Sequence, residues 1–320
     1  MRMLVYLHGT SGDHGHCLEM AEYYRRISAG RYLVALPVAN PRFGWGPNSK
    51  GAGHVFATLA AARRVAHVDP DRVYLTGQSM GGHATWYLSI FAPSPFAAIA
   101  PKSGCAIFDY CEDVFANLRP VPVYYIFGAK DPIVPLEYAH ETREKVEKAG
   151  GIALEYHEDP EAGHEGAPWP EIEKSYEWLL ERARDPYPET VWFGTRDPLR
   201  LGTAWVAIDR IAGEVPRRPA RFLDLEQKAI ETRDRLLEPV RIEASVEEGN
   251  AIVVETRGVS RFVLRLHPDL VDLEREVVVR CGRREVLSRR VEPSLEVVLA
   301  SAREDPGRIF WAEVECAVPR

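Results

Sequence analysis

The sequence predicts an α/β class, a mostly parallel sheet flanked by helices over residues 1–185, followed by a β-rich, sandwich-like domain over 190–320. Three observations carry this. Short apolar runs alternate with helical stretches through the first half. A serine between glycines falls at the junction of one such run and one such stretch. Near residue 185 the rhythm changes to alternating, β-branched segments separated by turns. Strands that are apolar on both faces and separated by helices belong to a parallel sheet with crossover helices; short alternating strands with turns belong to a sandwich or small barrel.

In chain order, Leu4–Leu7 reads as a strand and Leu18–Ile27 as a helix. Tyr32–Leu36 is a strand, His54–Ala66 an alanine-rich helix, Val73–Thr76 a strand and Gly82–Phe91 a helix. Phe96–Ala100 and Val123–Phe127 are strands, and Leu136–Ala149 is a charged amphipathic helix. Ile152–Tyr156 and Ile172–Ala183 close this half as strand and helix. Asp185-Pro186-Tyr187-Pro188 reads as a linker. Beyond it, Ala204–Ile208, Val240–Val246, Ala251–Glu255, Phe262–Leu266, Val277–Arg280, Val286–Val291 and Phe310–Val318 read as strands. Gln227–Leu237 reads as a helix or a long loop.

The chain has 320 residues, 46% of them hydrophobic, and a formal charge of −7. Its interspersed charges describe a solvated surface and no nucleic-acid footprint. No apolar run reaches the ~18 residues of a membrane span, and the short apolar start runs directly into His8-Gly9, so a cytoplasmic location is expected. Cys17, Cys105, Cys111, Cys281 and Cys316 lack zinc spacing and read as free thiols; Cys105 and Cys111 are near enough in sequence to pair in an oxidising compartment.

The strongest chemical signal is Gly77-Gln78-Ser79-Met80-Gly81, a G-x-S-x-G motif between a predicted strand and a predicted helix. A sharp turn there exposes the serine hydroxyl at the carboxyl end of the sheet, and side chains at Gly77 and Gly81 would collide across it. A serine hydroxyl needs a base, and the base an orienting acid. Where this motif occurs on such a fold, the chain order is serine, acid, histidine. Asp131, in the loop after Val123–Phe127, is the candidate acid. His164, between small residues in the loop after Ile152–Tyr156, is the candidate base, preferred over His83, His140, His157 and His267.

Acyl transfer also needs donors for the oxyanion. The Met80 amide follows the nucleophile; Thr10, with Ser11 second, is chosen from the loop after the first strand. Phe43, Trp45, Phe108, Tyr110 and Trp169 are substrate-pocket candidates, aromatics in or near loops. His8, Asp13, His14 and His16 lack regular spacing and read as loop polarity, so no metal is expected; no phosphate-cradling glycine motif is present either.

With these residues in place, the first half resembles the poly(3-hydroxybutyrate)-depolymerase-like and phospholipase/carboxylesterase-like branch of the α/β-hydrolases. The stretches that carry the resemblance are Tyr6-Leu7-His8-Gly9, Gly77–Gly82, Phe96–Gly104, Gly128–Pro135 and Gly163-His164-Glu165. The resemblance implies ester hydrolysis through an acyl-enzyme without metal or organic cofactor. Related branches include feruloyl and acetylxylan esterases and oligopeptidase-like hydrolases, so the substrate does not follow from it.

The expected activity is therefore a serine esterase acting on a small-molecule or oligomeric ester. The alternatives are a peptidase of short peptides, or a non-catalytic binding or scaffold protein with a vestigial triad. One departure from the resembling family stands out: only three residues precede Leu4, where such enzymes carry further strands. The strand Tyr32–Leu36 is then expected at the sheet edge, apolar and without a protecting lysine. The expectation is that this edge is covered, by the β-rich domain or by a second copy of the chain in a homodimer.

Overall fold

The computed structural model describes residues 1–320 except 11, 13, 29, 40–43, 47–49, 107–112, 165–168, 198–200, 214, 225–228 and 320; the side chains of 28, 50, 169–170, 217–224 and 229–235 also lie outside the description. The chain divides into two compact units, residues 1–184 with 221–232 and residues 185–220 with 233–320.

The first unit runs β1 (Arg2–Leu7), α1 (His14–Ser28), β2 (Tyr32–Ala35), α2 (Lys50–Val65), β3 (Val73–Gln78), α3 (Met80–Phe91) and β4 (Ala98–Lys102). It continues with β5 (Val123–Gly128), α4 (Leu136–Ala149), β6 (Leu154–Asp159) and α5 (Trp169–Leu180). The sheet order is β2-β1-β3-β4-β5-β6 and every pairing is parallel. The four inner strands are buried along almost their whole length, which is why they read as continuous apolar runs.

The strand period of two sorts their side chains onto two faces. Met3, Val5, Leu7, Leu75, Ile99, Tyr125 and Phe127 pack with α2, α3 and α4. Leu4, Tyr6, Tyr74, Ala98, Ala100, Tyr124 and Ile126 pack with Tyr24 of α1 and with Ile172, Tyr176 and Leu179 of α5. The second face is unusually rich in tyrosine. The chain leaves β1 first towards β2 and then returns to pair β3 on its other side, so the strand order reverses at β1. In an open parallel sheet the crevice beyond the carboxyl ends at such a reversal is where ligands bind.

β2 stands at the edge of the six-stranded sheet, where Tyr32–Leu36 was expected. Among the described residues no strand pairs with its outer side. Tyr32 is nevertheless buried, and its hydroxyl donates to the Tyr176 carbonyl.

The later part of the chain forms β7 (Thr190–Thr195), β8 (Gly202–Thr203), β9 (Val206–Ile211), β10 (Arg217–Asp224), β11 (Ala229–Leu236), β12 (Val240–Glu247), β13 (Ala251–Arg257) and β14 (Val259–Leu266). It ends with β15 (Glu276–Cys281), β16 (Arg284–Arg290), α6 (Leu295–Glu304) and β17 (Ala312–Ala317). A five-stranded sheet, β16-β15-β13-β12-β7, and a four-stranded sheet, β17-β14-β9-β8, share one core; β10 and β11 form a separate pair. Alternate residues of β14 and β17 point into that core.

Two differences from the sequence reading have clear causes. Gln227–Leu237, read as helix or loop, contains strand β11. Its run Glu231-Thr232-Arg233-Asp234-Arg235 has no apolar period to read, and its pairing comes from β10. Helix α6 went unread; Ser294 caps it, its Oγ accepting from the Val297 amide at 3.4 Å. The β-branched pair Val297-Val298 disguises that signal.

Candidate active site

Ser79 joins β3 to α3 with φ 56° and ψ −118°, a left-handed backbone that costs a non-glycine residue about 1–3 kcal/mol and persists only where its surroundings impose it. The surroundings do so by close approach. A Cβ at Gly81 would lie 2.0 Å from the Leu7 carbonyl oxygen, and one at Gly77 would lie 2.4 Å from the Gly81 oxygen. The two glycines thus let β1, β3 and α3 converge below the serine. The Ser79 amide donates to the Lys102 carbonyl at 3.0 Å, so Met80 supplies the first amide of α3.

The three chemical side chains come from three strand ends. The Ser79 hydroxyl lies 2.8 Å from His164 Nε2, and His164 Nδ1 lies 2.7 Å from Asp131 Oδ2. The Asp131 side chain is fully buried, and its Oδ1 accepts from the Ile133 and Val134 amides at 2.8 and 2.9 Å. With both oxygens occupied the carboxylate has a fixed orientation. It holds the imidazole proton on Nδ1 and leaves Nε2 to accept from the serine.

The loop bearing His164 is itself tied down. Asp159 Oδ1 accepts from the Glu161 and Ala162 amides at 2.8 and 3.0 Å, and Lys130 N–H donates to the Ala162 carbonyl at 2.9 Å. Gln78 donates to the His164 carbonyl at 3.3 Å. Gly128 permits the contact between the acid and base loops, since a Cβ there would lie 2.5 Å from the Ala162 oxygen. No such role is read for Asp159, Gln78 or Gly128 in the sequence; the roles arise from loops that meet only in space.

The rival histidines downstream of Ser79 are engaged elsewhere. His83 Nδ1 meets the Cys105 backbone, and burial holds its pKa below the usual value. His140 bonds Glu158 at 2.7 Å, His157 stacks on Tyr124, and His267 stacks on Tyr187. Buried His8 accepts from the Ala39 amide through Nε2 at 3.0 Å. Among the described residues no three His, Cys, Asp or Glu side chains converge as a metal site would need.

Ser79 and His164 open onto a cavity of 570 Å³. Thr10 lines it, as a residue contributing to the oxyanion site must, while Ser11 lies outside the described residues. The expected aromatic walls fare differently. Trp45 is 1% exposed and does not line the cavity: its indole donates to the His8 carbonyl at 3.0 Å and packs edge-on against the His8 ring. It is buttress rather than wall, because an indole N–H in a core goes where a carbonyl can accept it. Phe43, Phe108 and Tyr110 lie outside the described residues; Trp169 begins α5, and its side chain is outside the description. The walls described are instead Tyr6 from β1, Met20, Tyr23 and Tyr24 from α1, Lys102 from β4 and Tyr176 from α5. Cys105 carries a buried free thiol 3.3 Å from the Tyr125 hydroxyl; Cys111 lies outside the described residues.

Residues 23–168, which contain Ser79, Asp131 and His164, match the dienelactone hydrolase family. The match takes in 146 of the chain's 320 residues, just under half of it. The enzyme class that goes with the dienelactone hydrolase family is hydrolysis of carboxylic esters. The match reaches the superfamily expected from the motifs; the depolymerase-like branch is not part of what it shows.

A bifunctional acetylxylan esterase/xylanase of Neocallimastix patriciarum is 26% identical over 138 residues, covering 41% of this chain and 19% of that protein. This chain thus spans about a fifth of that relative's length. Among solved structures, a thermostable esterase has a TM-score of 0.47 at 23% identity, covering 57% of this chain and 55% of its own. Esterase PE8 has a TM-score of 0.47 at 22% identity, covering 56% and 92%. A dienelactone hydrolase described as putative, from Klebsiella pneumoniae, has 0.44 at 18% identity, covering 57% and 85%. Among the described residues no helix is long and apolar enough to cross a membrane.

Proposed function

We propose that the chain hydrolyses carboxylic esters through a Ser79–His164–Asp131 triad and an acyl-enzyme. The observation that carries this reading is the unbroken hydrogen-bonded line from Ser79 Oγ through His164 to Asp131, at 2.8 and 2.7 Å, beginning on a strained turn beside the cavity. His164 Nε2 takes the proton as Ser79 Oγ attacks the ester carbonyl. The Met80 and Thr10 amides hold the oxyanion. Asp131 stabilises the imidazolium that forms. His164 then gives its proton to the leaving alcohol as the ester C–O bond breaks. Water attacks the acyl-serine with His164 again as base, and the carboxylic acid departs.

The arrangement needs no group beyond the chain and water. Fixed donors and a fixed base cost no reorganisation during reaction, which is where such sites gain most of their rate. The substrate is a small-molecule or oligomeric ester.

The test pairs labelling with turnover. The wild-type chain should react with a fluorophosphonate probe and hydrolyse an activated aryl ester. Ser79→Ala should lose labelling and drop on the order of 10³-fold or more in kcat with little change in thermal unfolding. Hydrolysis by Ser79→Ala above a tenth of wild type would overturn the assignment.

A further inference from the structure

Lys102 ends β4, and its carbonyl receives the amide of the nucleophile. Its side chain is on the same face of the sheet as Ala98 and Ala100, the tyrosine-rich face, and lines the cavity while remaining 3% exposed. A lysine buried to that degree ordinarily sits against a carboxylate, because an unpaired buried ammonium is costly. Here the cavity-lining residues among those described include no Asp or Glu. The Lys102 ammonium donates to the Tyr176 hydroxyl, and it lies 4.7 and 6.0 Å from the ring centres of Tyr176 and Tyr6. The Tyr176 hydroxyl is 2.6 Å from that of Tyr24. All of these partners are neutral, while an ammonium offers three donors and the Tyr176 hydroxyl takes one.

We propose that Lys102 determines the specificity of this site, its ammonium anchoring a negatively charged group on the acyl part of the ester. The proposal rests on the esterase reading above and narrows its substrate class. The acyl side follows from the geometry of departure. The alcohol must leave past His164, at the end of the cavity where Ile133 is 67% exposed. Lys102 occupies the buried end. An anionic acyl tail would bring the lysine the counter-charge that none of the described lining residues supplies, and the tyrosine rings would enclose its methylenes.

The preference carries a pH dependence. Burial lowers the Lys102 pKa to about 7, so the anchor is charged below neutrality and loses its charge above it. The titratable groups facing it are Tyr6 from β1, His16, Tyr23 and Tyr24 from α1, Tyr176 from α5, and His164. Burial, the largest cause in each case, raises the four tyrosines, which keeps them neutral throughout. The histidines are the remaining groups to separate.

The experiment uses the full chain with two substrates of equal acyl length. One is the 4-nitrophenyl monoester of glutaric acid; the other is its neutral methyl diester counterpart. The ratio of their kcat/KM values is followed from about pH 5.5 to about pH 9, and His164 cancels from the ratio because both esters need it. The expected ratio favours the anionic ester at the acid end and falls on the order of tenfold or more through neutrality. Lys102→Met should flatten and lower the ratio, and His16→Gln should keep its fall. A wild-type ratio that is flat or rises with pH, or one that survives in Lys102→Met, overturns the proposal. The wild-type profile decides by itself if Lys102→Met does not fold. Ser79-dependent hydrolysis of the neutral ester with a flat ratio defeats this inference alone, whereas hydrolysis of neither ester defeats the esterase reading with it.

Discussion

Burying Lys102 has a thermodynamic signature independent of any substrate. The folded-state pKa is about 7 against 10.5 for a solvated lysine, and the cause is loss of solvent. The sign follows from proton counting. Below about pH 7 both states hold the proton and the folded state bears the whole burial cost, about 5 kcal/mol. Between about 7 and 10.5 the unfolded chain holds the proton and the folded chain does not, so stability contributed at this position rises with pH. Near pH 9.5 about 1.5 kcal/mol of the cost remains. Methionine has a similar length and suits a pocket of aromatic rings. Lys102→Met should therefore gain about 3 kcal/mol more, relative to wild type, near pH 6 than near pH 9.5. The lost bond to Tyr176 and the lost ring contacts shift the variant's absolute stability, and the comparison of two pH values removes most of that shift. Urea unfolding of both chains at the two pH values reads the effect. An equal stability difference at both, or a larger gain at the higher value, would refute the reasoning, because a lysine that is solvated or paired with an acid has no such dependence.

Other consequences are simpler. Asp131→Asn keeps the shape but favours the wrong imidazole tautomer, and should lower kcat by roughly 10³–10⁴-fold with little loss of structure by circular dichroism. Gly81→Ala would press a methyl group against the Leu7 carbonyl, 2.0 Å from an ideal Cβ, so it should abolish turnover and lower stability by about 3 kcal/mol or more in thermal unfolding. Burial raises the Cys105 thiol to about 12, so mass-spectrometric mapping should find it unmodified by a thiolate-selective reagent near pH 8 in the native chain and modified after denaturation.

The positions of Ser79, Asp131 and His164 were readable because each lies in a local context with its own chemistry. Gly77 and Gly81 announce a sharp turn, Asp131 follows an apolar strand, and His164 lies among small residues in a polar loop. The buried strands of the first unit were readable because parallel strands covered on both faces must be apolar throughout. Local pattern failed where partners are distant: β11 takes its bonds from β10, and α6 hides its cap beneath β-branched residues.

The sequence alone therefore determined the class of the first unit and singled out the candidate residues Ser79, Asp131 and His164, because these follow from period, spacing and turn chemistry; the edge position of β2 was what the family resemblance implied. The tertiary structure alone decided what surrounds them. Trp45, an aromatic in a glycine-rich loop, becomes a prop beneath His8, since its N–H finds a carbonyl there. Tyr6, Tyr24, Tyr176 and Lys102 are far apart along the chain and meet beside the nucleophile because β1, α1, α5 and β4 share one face of the sheet. Lys102 in particular follows Ala98 and Ala100 as one more inward residue of a buried strand, with nothing nearby to mark it as charged, unpaired and facing a cavity. Burial and the company a side chain keeps are properties of the fold, and a linear pattern holds no record of them.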